Sequence, residues 1–106
     1  MKMFIVLFLF FVLTGLFAET KVAIDCTFKG KRLAGKVRIV TANEDFKVRV
    51  VNANEHLKVL LQTLTWNDRC GEWMYVEANE NFKIRFVEAN EDFKIRFVNA
   101  IPGVPN

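Results

Sequence analysis

The sequence lacks most of what catalytic centres are built from. Its 106 residues include one histidine, His56, two cysteines and two prolines. No serine follows the N-terminal segment, so His56 has no serine nucleophile to activate. There is no Asn-x-Ser/Thr sequon, which removes the usual signal for N-glycosylation. Only five glycines are present, whereas nonapeptide calcium repeats depend on glycine-rich turns. Charge of neither sign dominates: 15 Lys and Arg against 12 Asp and Glu give a net charge of +3, too small an excess to imply nucleic acid. No apolar run reaches the roughly 20 residues that span a bilayer.

What is present begins with a leader. Met1-Lys2-Met3 is a short positive start, residues 4–13 are unbroken apolar, and Ala18 precedes the polar Glu19-Thr20-Lys21. Charged start, short apolar run and small residue are the layout of a secretory signal, predicted here over residues 1–18. The other reading is an uncleaved membrane anchor, for which the run is short. Cleavage would leave a single domain, residues 19–106, and lower the net charge from +3 to +2 through loss of Lys2. A chain of that length buries a small core and is marginal without support. In an exported protein the even cysteine count suggests a disulfide between Cys26 and Cys70. It would close a loop of about 45 residues and contribute about 4 kcal/mol in the chain-entropy model. Two buried thiols are the alternative.

A tandem repeat of eleven residues dominates the rest. Residues 40–50, 51–61, 76–86 and 87–97 align without gaps, and a truncated fifth copy starts at Val98. Residues 35–61 also match residues 71–97 at a constant offset, so the chain has two similar halves, each opening on glycine (Gly35, Gly71). Within a repeat, Phe82-Lys83-Ile84-Arg85-Phe86 alternates apolar and charged, the two-residue period of a half-buried strand. Phe82, Ile84 and Phe86 are expected to face a core. The Ala-Asn-Glu segments between strands read as turns, since asparagine tolerates the left-handed backbone that tight turns need. The result is an all-β fold of seven strands, near residues 21–28, 36–41, 46–51, 57–62, 73–77, 82–87 and 93–98. Two arrangements fit: an antiparallel, sandwich-like meander with short hairpin loops, or a coil in which each unit returns beside the last and like residues, asparagines included, stack in register.

Gly35-Lys36-Val37-Arg38-Ile39-Val40, Cys70-Gly71-Glu72-Trp73, the doubled Phe-Lys-Ile-Arg-Phe-Val of the second half and the closing Pro102-Gly103-Val104-Pro105 resemble a family of small exported bacterial repeat proteins with Phe-Pro-Asp loops, similar to the group called Septknot. The present chain carries Ala-Asn-Glu where those proteins often carry Phe-Pro-Asp. The resemblance covers nearly all of the chain after the leader. It implies a bacterial source and an all-β chain whose halves interlace into a knot, and it brings no activity and no site residues.

The chemistry to be placed is therefore modest. Basic pairs recur at matched positions, Lys36/Arg38, Lys47/Arg49, Lys83/Arg85 and Lys94/Arg96. Stacked strands would gather them into one basic face able to hold an anionic glycan or lipid headgroup, although such pairs more often form a solvated outer surface, neutralised by carboxylates one loop away: Glu44, Asp45, Glu55, Glu77, Glu80, Glu88, Glu91 and Asp92. The Asn-Glu-Asp turns suggest oxygen ligands for calcium only weakly. His56 takes the place of Asp45, Asn81 and Asp92 in the other repeats and reads as a polar turn residue. Phe28, Phe46, Phe82, Phe86, Phe93, Phe97, Trp73 and Tyr75 are assigned to the core, and Trp66, which breaks the repeat, to a cap on it. These features predict a non-enzymatic, exported or periplasmic structural or interaction protein, with no cofactor or metal, no specific nucleic acid and no membrane span after cleavage. Its partner would be a protein or envelope component, or alternatively an anionic polymer.

Overall fold

A computed structural model describes residues 21–63 and 69–105. The predicted leader and Trp66 lie outside the described residues. The described residues are all-β, with eight strands: β1 (Thr27–Phe28), β2 (Lys31–Arg32), β3 (Gly35–Ile39), β4 (Phe46–Val50), β5 (Leu57–Gln62), β6 (Glu72–Tyr75), β7 (Phe82–Phe86) and β8 (Phe93–Phe97). The last six form a closed barrel in the order β3-β6-β5-β8-β4-β7, and every neighbouring pair in it is parallel. Strands of the two halves alternate around the barrel, so none pairs with a strand of its own half. Neither the meander nor the simple coil describes this. Successive repeats are separated by a strand from the other half, and their like residues do not stack.

The register shows how eleven residues suffice for each unit. On one side of β7, Val37 and Ile39 face Phe82 and Ile84; on the other, Phe46 and Val48 face Ile84 and Phe86. Each strand is therefore staggered against its neighbours, and the next strand begins near the level where the last one ended. The chain need not travel back a full strand length. It steps over one strand instead. Val40 N–H donates to the Ile84 carbonyl, and Asp45 N–H donates to the neighbouring Lys83 carbonyl from the other side of β7. The turn between them crosses the outer face of β7. The turns after β4, β6 and β7 cross β8, β3 and β4 with the same pair of bonds, and the segment after β8 crosses β5. Asn43, Asn54, Asn79 and Asn90 each sit at φ near 60° in these crossings, the left-handed conformation expected of them. The fifth crossing puts Ile101 there, at φ 55°.

Inward side chains fall into three tiers. The middle tier is Val37, Val48, Val59, Trp73, Ile84 and Ile95, all fully buried. The lower tier, at the strands' N-terminal ends, holds the buried Phe46, Leu57, Phe82 and Phe93, with Gly35 at the start of β3 and Gly71 just before β6. Side chains are absent at those two places for a reason. A Cβ on Gly35 would collide with the Asn81 side chain, and one on Gly71 with the Lys58 carbonyl. Trp73 reaches toward this end, its indole N–H donating to the Leu33 carbonyl at 3.1 Å.

The N-terminal segment closes the lower end. Only Thr27–Phe28 of the expected first strand is extended. It forms a hairpin with Lys31–Arg32 through Lys29 and Gly30, both at positive φ. Residues 22–26 turn instead, with Cys26 N–H donating to the Ala23 carbonyl, and Ile24 is 95 % exposed. The physical reason is closure: a barrel offers no edge to which a further long strand could add. Val22, Cys26, Leu33 and Phe28 pack against the lower tier, and Cys26 is disulfide-bonded to Cys70.

Candidate functional site

The upper tier is the exception to burial. Ile39, Val50, Leu61, Tyr75, Phe86 and Phe97, one from each barrel strand, are 38–46 % exposed. They occupy the third inward position, at the C-terminal ends of six parallel strands, and together line the open mouth of the barrel. Phe86, Phe97 and Tyr75, assigned to the core from the sequence, thus form part of a solvent-facing apolar ring. Period-two alternation specifies the inward direction correctly. It does not distinguish a middle position from one at an uncovered end. A cavity of about 400 Å³ opens at the ring's edge, between Ile39, Val40, Thr41, Phe86 and Arg85.

The basic pairs point outward. Their strands are neighbours, β8, β4, β7 and β3 running consecutively around the barrel, so Lys47, Arg49, Lys83, Arg85, Lys94 and Arg96 do share one side. The crossing turns lie over that side and bring carboxylates with them. Arg85 Nε is 3.0 Å from Glu44 Oε1 and its NH2 donates to Glu44 Oε2 at 3.2 Å. Arg96 holds Glu55 in the same two-point manner, at 3.0 and 3.1 Å. Arg38 meets Glu80 at 3.2 Å and Arg49 meets Glu91 at 3.8 Å, both as single contacts. Bidentate pairing is the stronger form, and the Arg85 and Arg96 guanidiniums hold the Glu44 and Glu55 carboxyls below the ordinary carboxylate range. The arginines of the rows are thus paired by the turns that cross them, and of the lysines Lys47 lies 3.8 Å from Glu44.

Four of the five crossings also end in the same side-chain lock. The last turn residue accepts a hydrogen bond from the backbone N–H of the lysine it crosses. Asn81 accepts from Lys36, Asp92 from Lys47 and Asp45 from Lys83, each at 2.7 Å, while His56 Nδ1 accepts from Lys94 at 2.9 Å. His56 therefore has a definite structural duty, which its place in the repeat hinted at and only the crossing reveals. Burial, followed by the charges of Lys94 and Lys21, holds its pKa below the ordinary histidine value.

Nothing in the sequence pattern singles out Glu72. It stands on β6 where β3, β4, β5, β7 and β8 carry lysine, and it is fully buried. Its Oε2 accepts from Gln62 Nε2 at 2.9 Å and from Arg69 NH2 at 2.8 Å, which accounts for it structurally. Among the described residues no group of three or more His, Cys, Asp and Glu is placed to hold a metal ion.

None of the curated proteins compared matches this sequence. A family model does: Septknot, described as a 7(1) septoil knot domain, matches residues 30–105. That span holds all six barrel strands, the crossing turns and Cys70. The alternation of halves around the barrel and the family match lead to one assignment: the chain belongs to the Septknot family.

Proposed function

We propose that the protein is a non-enzymatic, exported interaction protein that binds a protein partner of the cell envelope through the apolar mouth of its barrel. The observation that carries this is the upper tier itself. Six large apolar side chains stay in water on a domain whose other two tiers are buried. Contiguous exposed apolar surface of this kind marks contact sites, and aromatic residues such as Tyr75, Phe86 and Phe97 are the types enriched in them. The Cys26–Cys70 disulfide is in keeping with an oxidising compartment, and the leader layout of residues 1–18 with export.

A second reading uses the basic strands to bind anionic glycan or lipid headgroups. It draws on the adjacency of β8, β4, β7 and β3. The arginine–glutamate pairs count against it, because their charge is already balanced locally.

Immobilised protein incubated with envelope extract separates the two. A Phe86→Ser/Phe97→Ser variant should lose the retained partner, whereas Lys83→Glu/Arg85→Glu should keep it, and retention should change little with salt. Retention that survives the first variant and collapses with the second, or with added salt, would transfer the function to the basic side.

A further inference from the structure

The four crossings locked by a side chain share one geometry but not one chemistry. Three locks use an oxygen, from Asp45, Asn81 or Asp92. An amide oxygen accepts at any pH, and a carboxylate accepts through either oxygen while it is ionised. The fourth uses the Nδ1 lone pair of His56. A neutral imidazole can accept through that nitrogen; an imidazolium has only donors. Once protonated, His56 would turn an N–H toward the Lys94 N–H that it now binds.

The surroundings do not favour the cation. Lys94 on β8 and Lys21 on the N-terminal segment lower its affinity for a proton, and Glu91 from the turn before β8 opposes them. Glu55, beside His56 in its own turn, is taken up by Arg96. Lys21, Asn54, Glu91 and Lys94 border, with His56 itself, a cavity of about 400 Å³, which gives the ring room to swing out. The crossing that His56 ends begins at Val51, directly after Val50 of the mouth.

We propose that the turn of residues 52–56 is a proton-operated latch, closed over β8 at neutral pH and released in mild acid while the other three locked crossings stay shut. Release loosens the Val50 side of the barrel mouth, so the apolar ring is rigid at neutral pH and adaptable below it. The sign follows from linkage. A histidine whose pKa is depressed by folding stabilises the closed form above the unfolded value, about 6.5, and that contribution is lost as pH falls toward the folded value.

Amide exchange followed by NMR tests this in the intact protein, with Lys83 as the internal reference because Asp45 locks it. The protection of the Lys94 amide relative to Lys83 should fall by up to tenfold for each pH unit below about 6.5. In His56→Asn, which installs the acceptor found at Asn81, the ratio should stay flat from pH 7 to 5. A flat ratio in the wild-type protein would overturn the latch, as would an equal slope in the variant. Imidazole nitrogen shifts provide a check that needs no variant. Nδ1 should be unprotonated at pH 7, and a proton found there would overturn the proposal whatever the exchange data show.

Discussion

At its lower end the barrel is stoppered by Phe28, whose ring lies 5.2 Å from Phe93 and 5.5 Å from Phe46, and the segment that carries it is clamped by Cys26–Cys70. At its upper end the same inward alternation continues for one more tier and meets water. Both ends are made by the same repeat. The difference arises outside it: a non-repetitive segment of the described chain, residues 22–34, covers one end, and no described segment buries the ring at the other. A repeat that can tile a barrel specifies its wall. What closes or opens that wall is written in the exceptions.

The contrast can be broken most severely from below. Replacing both cysteines with serine should lower stability by about 4 kcal/mol in the loop-entropy model, read as a shift in urea midpoint, and should leave Phe28 less protected. Ile84→Ala in the middle tier should cost about 2–5 kcal/mol through lost burial and a residual cavity. Ile39→Ala, on the neighbouring strand but at the mouth, should cost about 1 kcal/mol or less, because its side chain is already 45 % exposed. Equal losses at the two positions would show that the mouth is covered in solution. The fifth crossing offers a change of opposite sign. Ile101→Asn places the residue of the other four crossings at the left-handed position and should stabilise by about 1 kcal/mol, seen as a raised thermal midpoint. Sharpest for function, Phe86→Ser/Phe97→Ser should cost about 1–2 kcal/mol at each ring, since each is 38–39 % exposed, while reducing the fluorescence of a hydrophobic dye bound to the protein.

Much of this was legible in the sequence, for identifiable reasons. Phe82-Lys83-Ile84-Arg85-Phe86 announces a strand with one apolar face because side chains alternate across a sheet, and the asparagines announce left-handed turns. The cysteines announced their pairing through their even number. Strand order was hidden, because near-identical repeats give pairing within a half and between halves the same local chemistry. The first strand was overextended: Val22, Ile24, Cys26 and Phe28 alternate like a strand, but a closed barrel leaves no partner for one. Phe86 and Phe97 were placed correctly inward and wrongly in the core, since distance from the end of a barrel has no sequence period. His56 stood out as the odd member of its column, while its partner, the Lys94 amide, is brought to it only by the crossing.

The alternation of halves has a consequence for how the chain can be divided. Three strands of one half have no ladder to make among themselves, so neither half is a unit that can stand by itself, although each looks like one in sequence. A nick between residues 63 and 69 would yield two pieces that each need the other as template, and reassembly would report on their meeting. Cys26 belongs to one piece and Cys70 to the other, so under oxidising conditions the severed chain would stay joined, and reductant alone would decide whether the pieces part.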